Sequence, residues 1–480
     1  MDHSDIRKPP VRSAEALADR IANTVLKREL SLGASIGSEH GLAEELGCSP
    51  ALVREAVLIL EREGLVERRR GRAGGLFISA TPLDAAATAL SNFMFFARLS
   101  IADVFSIRPQ LEAIAFRLAA ARARARDVDP LRAACRAVTQ QAKYGILPPM
   151  AELYERILDT ARSPILGMLV NALMKVSVVG YLQTHDPSKG MDSMFSELVA
   201  LRVRQVEAIL SEDISALAIL HDLSDKFTQR VMSDAVMAAP VAISQDTDRL
   251  TLALQYGPAK IRAADVLAWR IHSEINAKAM EPGELLGTEA DLVRRFGVSR
   301  SVFRATISYL ARLRLVVVQR GRNSGIWVGE FDQTQIVDSV ARYLHHAHPH
   351  DDEIIEALVP LEARMLETAL AAGQANGMRA EWETMCLAET PFSTAVAQFY
   401  EPLRQACGSP IMSVFHRCLV RSLTLAGDVE QSDGDLSINK WRREMAAAVP
   451  DVRRMLMANA GLLSTILGRR RDTAQRERTR

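Results

Sequence analysis

At 480 residues the chain is too long for a single hydrophobic core and should divide into roughly three to four domains. Its 48% hydrophobic and 24% charged residues are ordinary for a soluble globular protein, and the net charge of +1 gives no global pull toward nucleic acid or membrane. Any such partner must therefore be met by a local patch. No uncharged apolar run reaches the roughly 18 residues a membrane span needs, so no membrane partner is expected. The five cysteines (Cys48, Cys135, Cys386, Cys407, Cys418) lack CxxC spacing and form an odd set, as expected of reduced thiols. Met1 to Pro10 is polar with no apolar core, unlike a signal peptide, so a cytoplasmic protein is expected.

In chain order, residues 1–12 read as a loose, disordered polar tail with Pro9 and Pro10. A compact unit follows at 13–80. Ala14 to Glu29 has Leu17, Ile21 and Val25 on one face of a helix. Ser38 opens a second helix, in which Leu42 and Leu46 lie four apart and Gly47 suits the residue just past the end. Ser49 caps a third helix, with Pro50 in its first turn, where a missing N–H costs nothing. Val53, Val57 and Leu60 form its buried stripe, and the segment from Val66 to Ile78 reads as a hairpin turning through Gly71 to Gly75. Helix, helix, short turn, helix and hairpin make a winged helix-turn-helix.

An Ala-, Arg- and Leu-rich helical bundle is expected at 81–237, followed by a linker at 238–260 carrying Pro240 and Gly257-Pro258. A second winged unit at 261–330 then repeats the first at a constant offset of about 250 residues, with no gap. Leu17, Gly47, Ser49, Arg54, Leu60, Arg70, Gly71 and Arg72 reappear as Leu267, Gly297, Ser299, Arg304, Leu310, Arg320, Gly321 and Arg322. Thr288 with Asp291 makes a capping-box start, and Phe303, Ile307 and Leu310 replace the buried stripe. The run His345 to His350 reads as a solvated loop that shares no helical face. His221 and His416 stand alone on apolar helices and read as core residues. A second helical bundle is expected at 331–468 and a basic tail at 469–480. The predicted fold class is mainly α: two winged helix-turn-helix domains, each followed by an all-helical bundle of effector-binding type, in tandem duplication.

The third helix of each winged unit is the expected DNA reader. Arg300 and Arg304 lie four apart, on one face opposite Phe303. Two like charges so placed cost an isolated helix about 0.2–0.5 kcal/mol, which phosphate or a guanine edge would offset. Ser299 and Ser301 add short donors at the end of the helix that enters a major groove in this motif. The wing supplies a second contact: Arg69, Arg70 and Arg72 surround Gly71, and Arg320 and Arg322 flank Gly321. There is no Walker loop, Rossmann fingerprint, nucleophile elbow or zinc-hydrolase motif, so neither an enzyme nor a cofactor is expected.

These residues reach a known family. The segment GSEHGLAEELGCSPALVREAVLILEREGLVERRRGRAGG resembles the DNA-binding domain of the GntR superfamily of bacterial transcription regulators, and GTEADLVRRFGVSRSVFRATISYLARLRLVVVQRGRNSG resembles it again. DVFSIRPQLEAIAFRLAAARA is similar to the start of the helical domain of its fatty-acid-regulator (FadR/FCD) subfamily, and Leu361 and Glu362 repeat Leu111 and Glu112. The resemblance implies a double-stranded DNA operator as partner. The implied contact residues are Ser38, His40, Ser49, Ala51, Arg54, Arg69, Arg70, Gly71 and Arg72 in the first unit. In the second they are Thr288, Ser299, Arg300, Ser301, Arg304, Arg320, Gly321 and Arg322.

Departures from the pattern carry information. The usual arginine of the Ser-Glu-Arg segment is His40 in one unit and Ala290 in the other, and the arginine that opens the reader helix stands at Arg300 but is Pro50 in the first unit. Unequal readers are expected, the second making more base contacts. An alternative is that one or both winged units serve as protein-interaction modules, which Pro50, Ala51 and Leu52 favour for the first.

Relatives of this subfamily bind a divalent metal through aspartate and histidines. The corresponding positions here are Tyr154 and Arg202 in the first bundle and Tyr400 and Arg442 in the second, all poor metal ligands, so no metal is expected. Two readings stay open: these pairs hold a small organic-acid effector, or they fill a pocket that has lost its ligand. A monomer acting as a pseudo-dimer and a homodimer are both compatible with the duplication.

Overall fold

Short-range signals set the winged units. Ser38 accepts from the Gly41 N–H at 3.0 Å and Ser49 from the Leu52 N–H at 3.2 Å, which satisfies amides that the first helical turn leaves unpaired. Gly47 and Gly297 sit at φ 62° and 65°, the left-handed conformation that ends a helix and that glycine adopts without a Cβ clash. The computed structural model describes residues 14–27, 33–62, 65–69, 74–79, 82–141, 147–184, 193–231, 237–238, 240, 263–319, 321, 324–347, 351–374, 377–378, 381 and 398–425. Residues 28–32 and 70–73 lie outside these ranges, and with them the predicted end of the first helix and the tip of the first wing.

The first winged head comprises α1 (Ala14–Lys27), β1 (Ser35–Gly37), α2 (Glu39–Leu46), α3 (Pro50–Arg62), β2 (Val66–Arg69) and β3 (Gly75–Ile78). α1 and α2 pack on α3, and Leu17, Ile21, Val53, Val57 and Leu60 are buried. The hairpin pairs Val66 with Ile78 and Arg68 with Leu76. Sequence reasoning missed β1, which joins β3 as a third antiparallel strand. Three residues are too few to show a period of two, and their pairing is with a strand about forty residues on.

Four helices lead on: α4 (Pro82–Phe96), α5 (Ile101–Phe105), α6 (Arg108–Arg122) and α7 (Ala125–Gln141). Then come α8 (Leu147–Ala161), α9 (Pro164–Thr184), α10 (Ser193–Leu210) and α11 (Ile214–Val231). The second head has the same element order: α12 (Ala263–Ala277), β4 (Leu285–Gly287), α13 (Glu289–Phe296), α14 (Arg300–Arg312), β5 (Val316–Gln319) and β6 (Gly325–Val328). After it stand α15 (Thr334–His346), α16 (Asp351–Ala371), α17 (Glu401–Cys407) and α18 (Pro410–Leu425). His345 and His346 therefore close α15 and are not part of a loop, because the apolar face of Ile336, Val340 and Leu344 carries the helix on to them; 348–350 lie outside the described residues.

The chain forms two compact units. One gathers the described residues of 1–99, 175–186 and 240–347, which include both winged heads with α4, α15 and the second half of α9; the other gathers those of 100–174, 187–239 and 348–480, which include the first half of α9 and the remaining helices.

Within the first unit, α4 packs along α15, its equivalent in the second half. The contact is reciprocal: α4 also touches α12 of the second head, while α15 touches α1 of the first. α4 is buried nearly all round toward its end, from Ala89 through Phe96, so it needs cover on more than one side. Phe93 and Phe96 meet Phe331, Phe95 lies 4.6 Å from Trp269 between ring centres, and Phe96 stands edge-on to His272. At the centre, the Trp269 indole N–H donates to Asn92 Oδ1 at 2.6 Å, and Asn92 Nδ2 donates to the Tyr309 hydroxyl at 2.7 Å.

Replacing Asn92 by Leu breaks both hydrogen bonds of a buried set and leaves the indole N–H unsatisfied, so a loss of about 1–3 kcal/mol is expected from the urea midpoint. His272 gives a pH signature. Burial, reinforced by the Arg98 charge, pushes its pKa down to about 4 from 6.5. As pH falls below 6.5 the unfolded chain takes up a proton that the folded seam resists, so stability drops progressively toward pH 4 and is fully present above 6.5. His272→Gln should flatten this part of a urea-midpoint profile.

Candidate nucleic-acid interface

Each head presents the start of its third helix to solvent. In the second, Ser299 caps α14 by accepting from the Val302 N–H at 3.3 Å and lies 3.0 Å from the Ser301 hydroxyl. Phe303, Ile307 and Leu310 are buried, which turns Arg300 and Arg304 outward, both exposed. Arg304 does not stand alone: its Nε donates to Glu289 Oε1 at 2.8 Å. The like-charge cost expected for Arg300 and Arg304 is thus relieved within the protein, by a carboxylate that sequence reasoning did not single out. Thr288 accepts from the Asp291 N–H and caps α13, and Gly321 turns at φ 101° in the wing.

The first head repeats the frame with different chemistry. Ala51 and His40 are exposed, and His40 lies 3.3 Å from Glu44 one turn on. Arg54 is exposed, with its Nε 3.5 Å from Glu39 Oε2, while Arg68 of β2 lies 2.7 Å from the other oxygen of the same carboxylate. Arg69 stacks 4.3 Å from the centre of the Phe77 ring and donates to Glu67 at 2.7 Å, which lays it along the sheet. Arg70, Gly71 and Arg72, with Arg320 and Arg322 of the second wing, lie outside the described residues.

In the helical unit, Tyr154 and Arg202 do come together, with the guanidinium 5.0 Å from the ring centre. Between them stands Glu112, which no motif had marked as functional. It accepts from Arg108 at 2.5 Å, from the Tyr154 hydroxyl at 3.3 Å and from Arg202 at 3.4 Å. Burial alone would raise the Glu112 carboxyl, but the guanidinium charges of Arg108 and Arg202 outweigh it and hold the group below the usual carboxylate range. Burial pushes the Tyr154 hydroxyl up to about 12, so it is a neutral phenol at pH 7. His221 belongs to this cluster too, against the expectation that it stands alone, because α11 packs on α6 and brings its Nε2 to the Pro109 carbonyl. Burial holds it below its ordinary value, hence neutral. Arg202 Nε, Gln205 Nε2 and His221 Nδ1 are buried without a hydrogen-bond partner among the described residues.

In the second bundle the described buried polar groups contact one another. His416, fully buried, lies 3.1 Å from Glu362 and 3.2 Å from Arg404, with the Tyr400 ring 4.4 Å away, so it does not stand alone either. Arg404 also donates to Glu401 at 3.0 Å. Arg442 lies outside the described residues. Among the described residues, no group of three or more His, Cys, Asp and Glu side chains converges as a metal site, and no helix is long and apolar enough to cross a membrane.

Two winged helix-turn-helix heads, each with a capped reader helix bearing exposed arginine, place the chain in the class of helix-turn-helix regulators. Residues 13–75 and 263–326 each match the bacterial regulatory proteins of the gntR family. The chain is 31% identical over 173 residues to the uncharacterized HTH-type transcriptional regulator Rv0494 of Mycobacterium tuberculosis, covering 71% of that protein and 35% of its own length. It is 32% identical over 130 residues to the putative HTH-type transcriptional regulator RmpR of Mycobacterium gastri, covering 27% of this chain but only about half (47%) of that relative. A solved structure, Streptococcus agalactiae GntR, aligns over 45% of this chain and 99% of its own at 19% identity, with a TM-score of 0.31, too loose a fit to carry an argument. The chain belongs to the GntR family of bacterial regulatory proteins.

Proposed function

We propose that this chain is a sequence-specific DNA-binding transcription regulator in which both winged heads read one pseudo-palindromic operator. One observation carries the reading: the exposed, serine-capped reader helix occurs twice within one compact unit. The reciprocal packing of α4 and α15 supports an internal duplication acting as a pseudo-dimer, since an isologous interface has residue i meeting j and j meeting i. The two helical regions fit the fatty-acid-regulator subtype, with domain limits at 13–80, 81–237, 261–330 and 331–468. The heads are unequal: Arg300 and Arg304 favour base reading in the second, while Pro50 and Ala51 leave the first to lean on phosphate.

The effector site is the Arg108–Glu112–Tyr154–Arg202 cluster of the first bundle. Among the described residues, two guanidinium groups against one carboxylate leave a buried excess of positive charge, and Arg202 Nε and Gln205 Nε2, without partners there, add donors. A small organic acid would supply the missing anion and acceptors. Binding there changes operator affinity through the coupling free energy between sites. In the second bundle the described Arg404, His416 and Glu362 contact one another, which favours the first bundle as the effector site.

A second reading, in which the first head docks a protein, draws on Pro50, Ala51 and Leu52 at the reader position. Electrophoretic shift and footprinting of operator by a chain with Arg304→Ala alone separate the two, since residual protection over the first half-site requires a DNA-reading first head.

For the main reading, Arg54→Ala with Arg304→Ala should weaken operator binding by about 1–3 kcal/mol for each arginine that reads a base. The salt slope should fall by about one for each phosphate that is no longer neutralised. Unchanged affinity and slope in fluorescence anisotropy would sink the reading. For the effector, calorimetric titration with a panel of small carboxylic and hydroxycarboxylic acids should give one site per chain, abolished by Arg202→Leu and unaffected by Arg404→Leu. Heat retained in the Arg202 variant would place the ligand elsewhere.

A further inference from the structure

The two heads share a carboxylate on the side that carries the reader arginines. Glu39 and Glu289, at equivalent positions, are the first residues of α2 and α13, directly after the capping Ser38 and Thr288. Each points at the arginine four residues into the following reader helix, Arg54 or Arg304. An acidic first residue is favourable at a helix N-terminus, but that role needs no contact with an arginine. An exposed ion pair adds little to folding stability. Beside DNA, the same carboxylate repels phosphate. A group that adds little stability and opposes non-specific binding needs another reason to be there.

The geometry supplies one. Glu289 takes Arg304 by Nε, at 2.8 Å. That engages one edge of the planar guanidinium and turns the NH1–NH2 edge away from the carboxylate. Two parallel N–H groups on that edge are what pair with guanine O6 and N7. Held so, Arg304 is a fork of fixed direction; unheld, it is a flexible cation that settles on the nearest phosphate. The first head shows what happens when the carboxylate is shared. Arg68 lies 2.7 Å from Glu39 as an ion pair while donating its hydrogen bond to Glu61 at 3.3 Å, and Arg54 stands 3.5 Å from Glu39, beyond a good hydrogen bond. The residue equivalent to Arg68 in the second head is Val318, which cannot compete.

We propose that Glu289 is a specificity-determining positioning residue: it aims Arg304 at a guanine edge and penalises non-specific phosphate binding, and Arg68 weakens the same device in the first head. This rests on the reading of the chain as a DNA-binding regulator.

The test uses the full chain, an operator found by genome-wide mapping of bound sites, the same duplex with single guanine-to-adenine changes in each half-site, and an unrelated duplex, all read by fluorescence anisotropy. Wild type should lose about ten- to a hundredfold at the guanine read by Arg304. Glu289→Gln should cut that penalty several-fold while binding to the unrelated duplex stays level or tightens. Arg68→Val frees Glu39 for Arg54 and should enlarge the guanine penalty in the other half-site, even as phosphate affinity falls. If Glu289→Gln changes all duplexes by the same factor, the carboxylate is only a charge or a fold element and the proposal fails. It fails equally if Arg68→Val leaves every base penalty unchanged. A wild-type chain with no preference among the duplexes would bring down the DNA-binding reading as well, and that result is visible before any variant is made.

Discussion

Helix α4 cannot be left uncovered, and much of the first unit follows from that. From Ala89 to Phe96 it is buried residue after residue, Ser91 and Asn92 included, so no face remains for water. A surface helix offers one apolar stripe; this one needs several neighbours. The neighbours come from the other half of the chain: α15 alongside, α12 across, and Tyr309 at the end of the second reader helix. Burial of the aromatic rings drives the association, and Asn92 makes it selective, because its amide must meet Trp269 and Tyr309 together or remain unsatisfied. The chemistry of this clasp is not repeated in the sequence of the other half. Residues equivalent to Asn92, Trp269 and Tyr309 are Arg342, Asp19 and Ile59, which cannot form it in the reverse direction.

The same asymmetry recurs at the reading face. Both heads keep the scaffold of cap, left-handed glycine and buried stripe, which is the part that backbone hydrogen bonding and packing demand. What changes are groups that face solvent: Arg300 against Pro50, Val318 against Arg68, Gln319 against Arg69. On the outer face of the sheets, Glu67 and Ser35 flank Phe77 in one head, whereas Val317 and Leu285 flank Trp327 in the other. Those positions face solvent in whole or in part, so they are freer to differ in chemistry than the buried stripes.

The helical unit has divided its electrostatics in a parallel way. Glu112 and Glu362 occupy equivalent positions and both are buried. Around Glu362 the carboxylate, imidazole and guanidinium close on one another. Around Glu112 two arginines converge and several donors lack partners among the described residues. A buried charge that is not matched inside the protein is stable only if something else matches it, and this difference is what the effector site proposed for the first bundle rests on.

Much of the heads could be read from the chain alone. Ser38, Ser49, Thr288 and Ser299 as caps, Gly47 and Gly297 as helix stops, and the stripes of Val53 and Phe303 all depend on contacts within about four residues, and backbone hydrogen bonding and helical period leave those few alternatives. The strands β1 and β4, three residues each, carry no such period and exist because a distant hairpin pairs with them. The pairing of Glu289 with Arg304 spans 15 residues, that of Tyr154 with Glu112 spans 42, and that of Asn92 with Trp269 spans 177. The sequence by itself determined two winged heads, their reader helices and which arginines those helices expose. Only the tertiary structure decided which carboxylate holds an arginine, which buried amide ties α4 to the second head and which bundle leaves buried donors without partners among the described residues. Each of those depends on side chains brought together by packing, and no local period or propensity encodes that meeting.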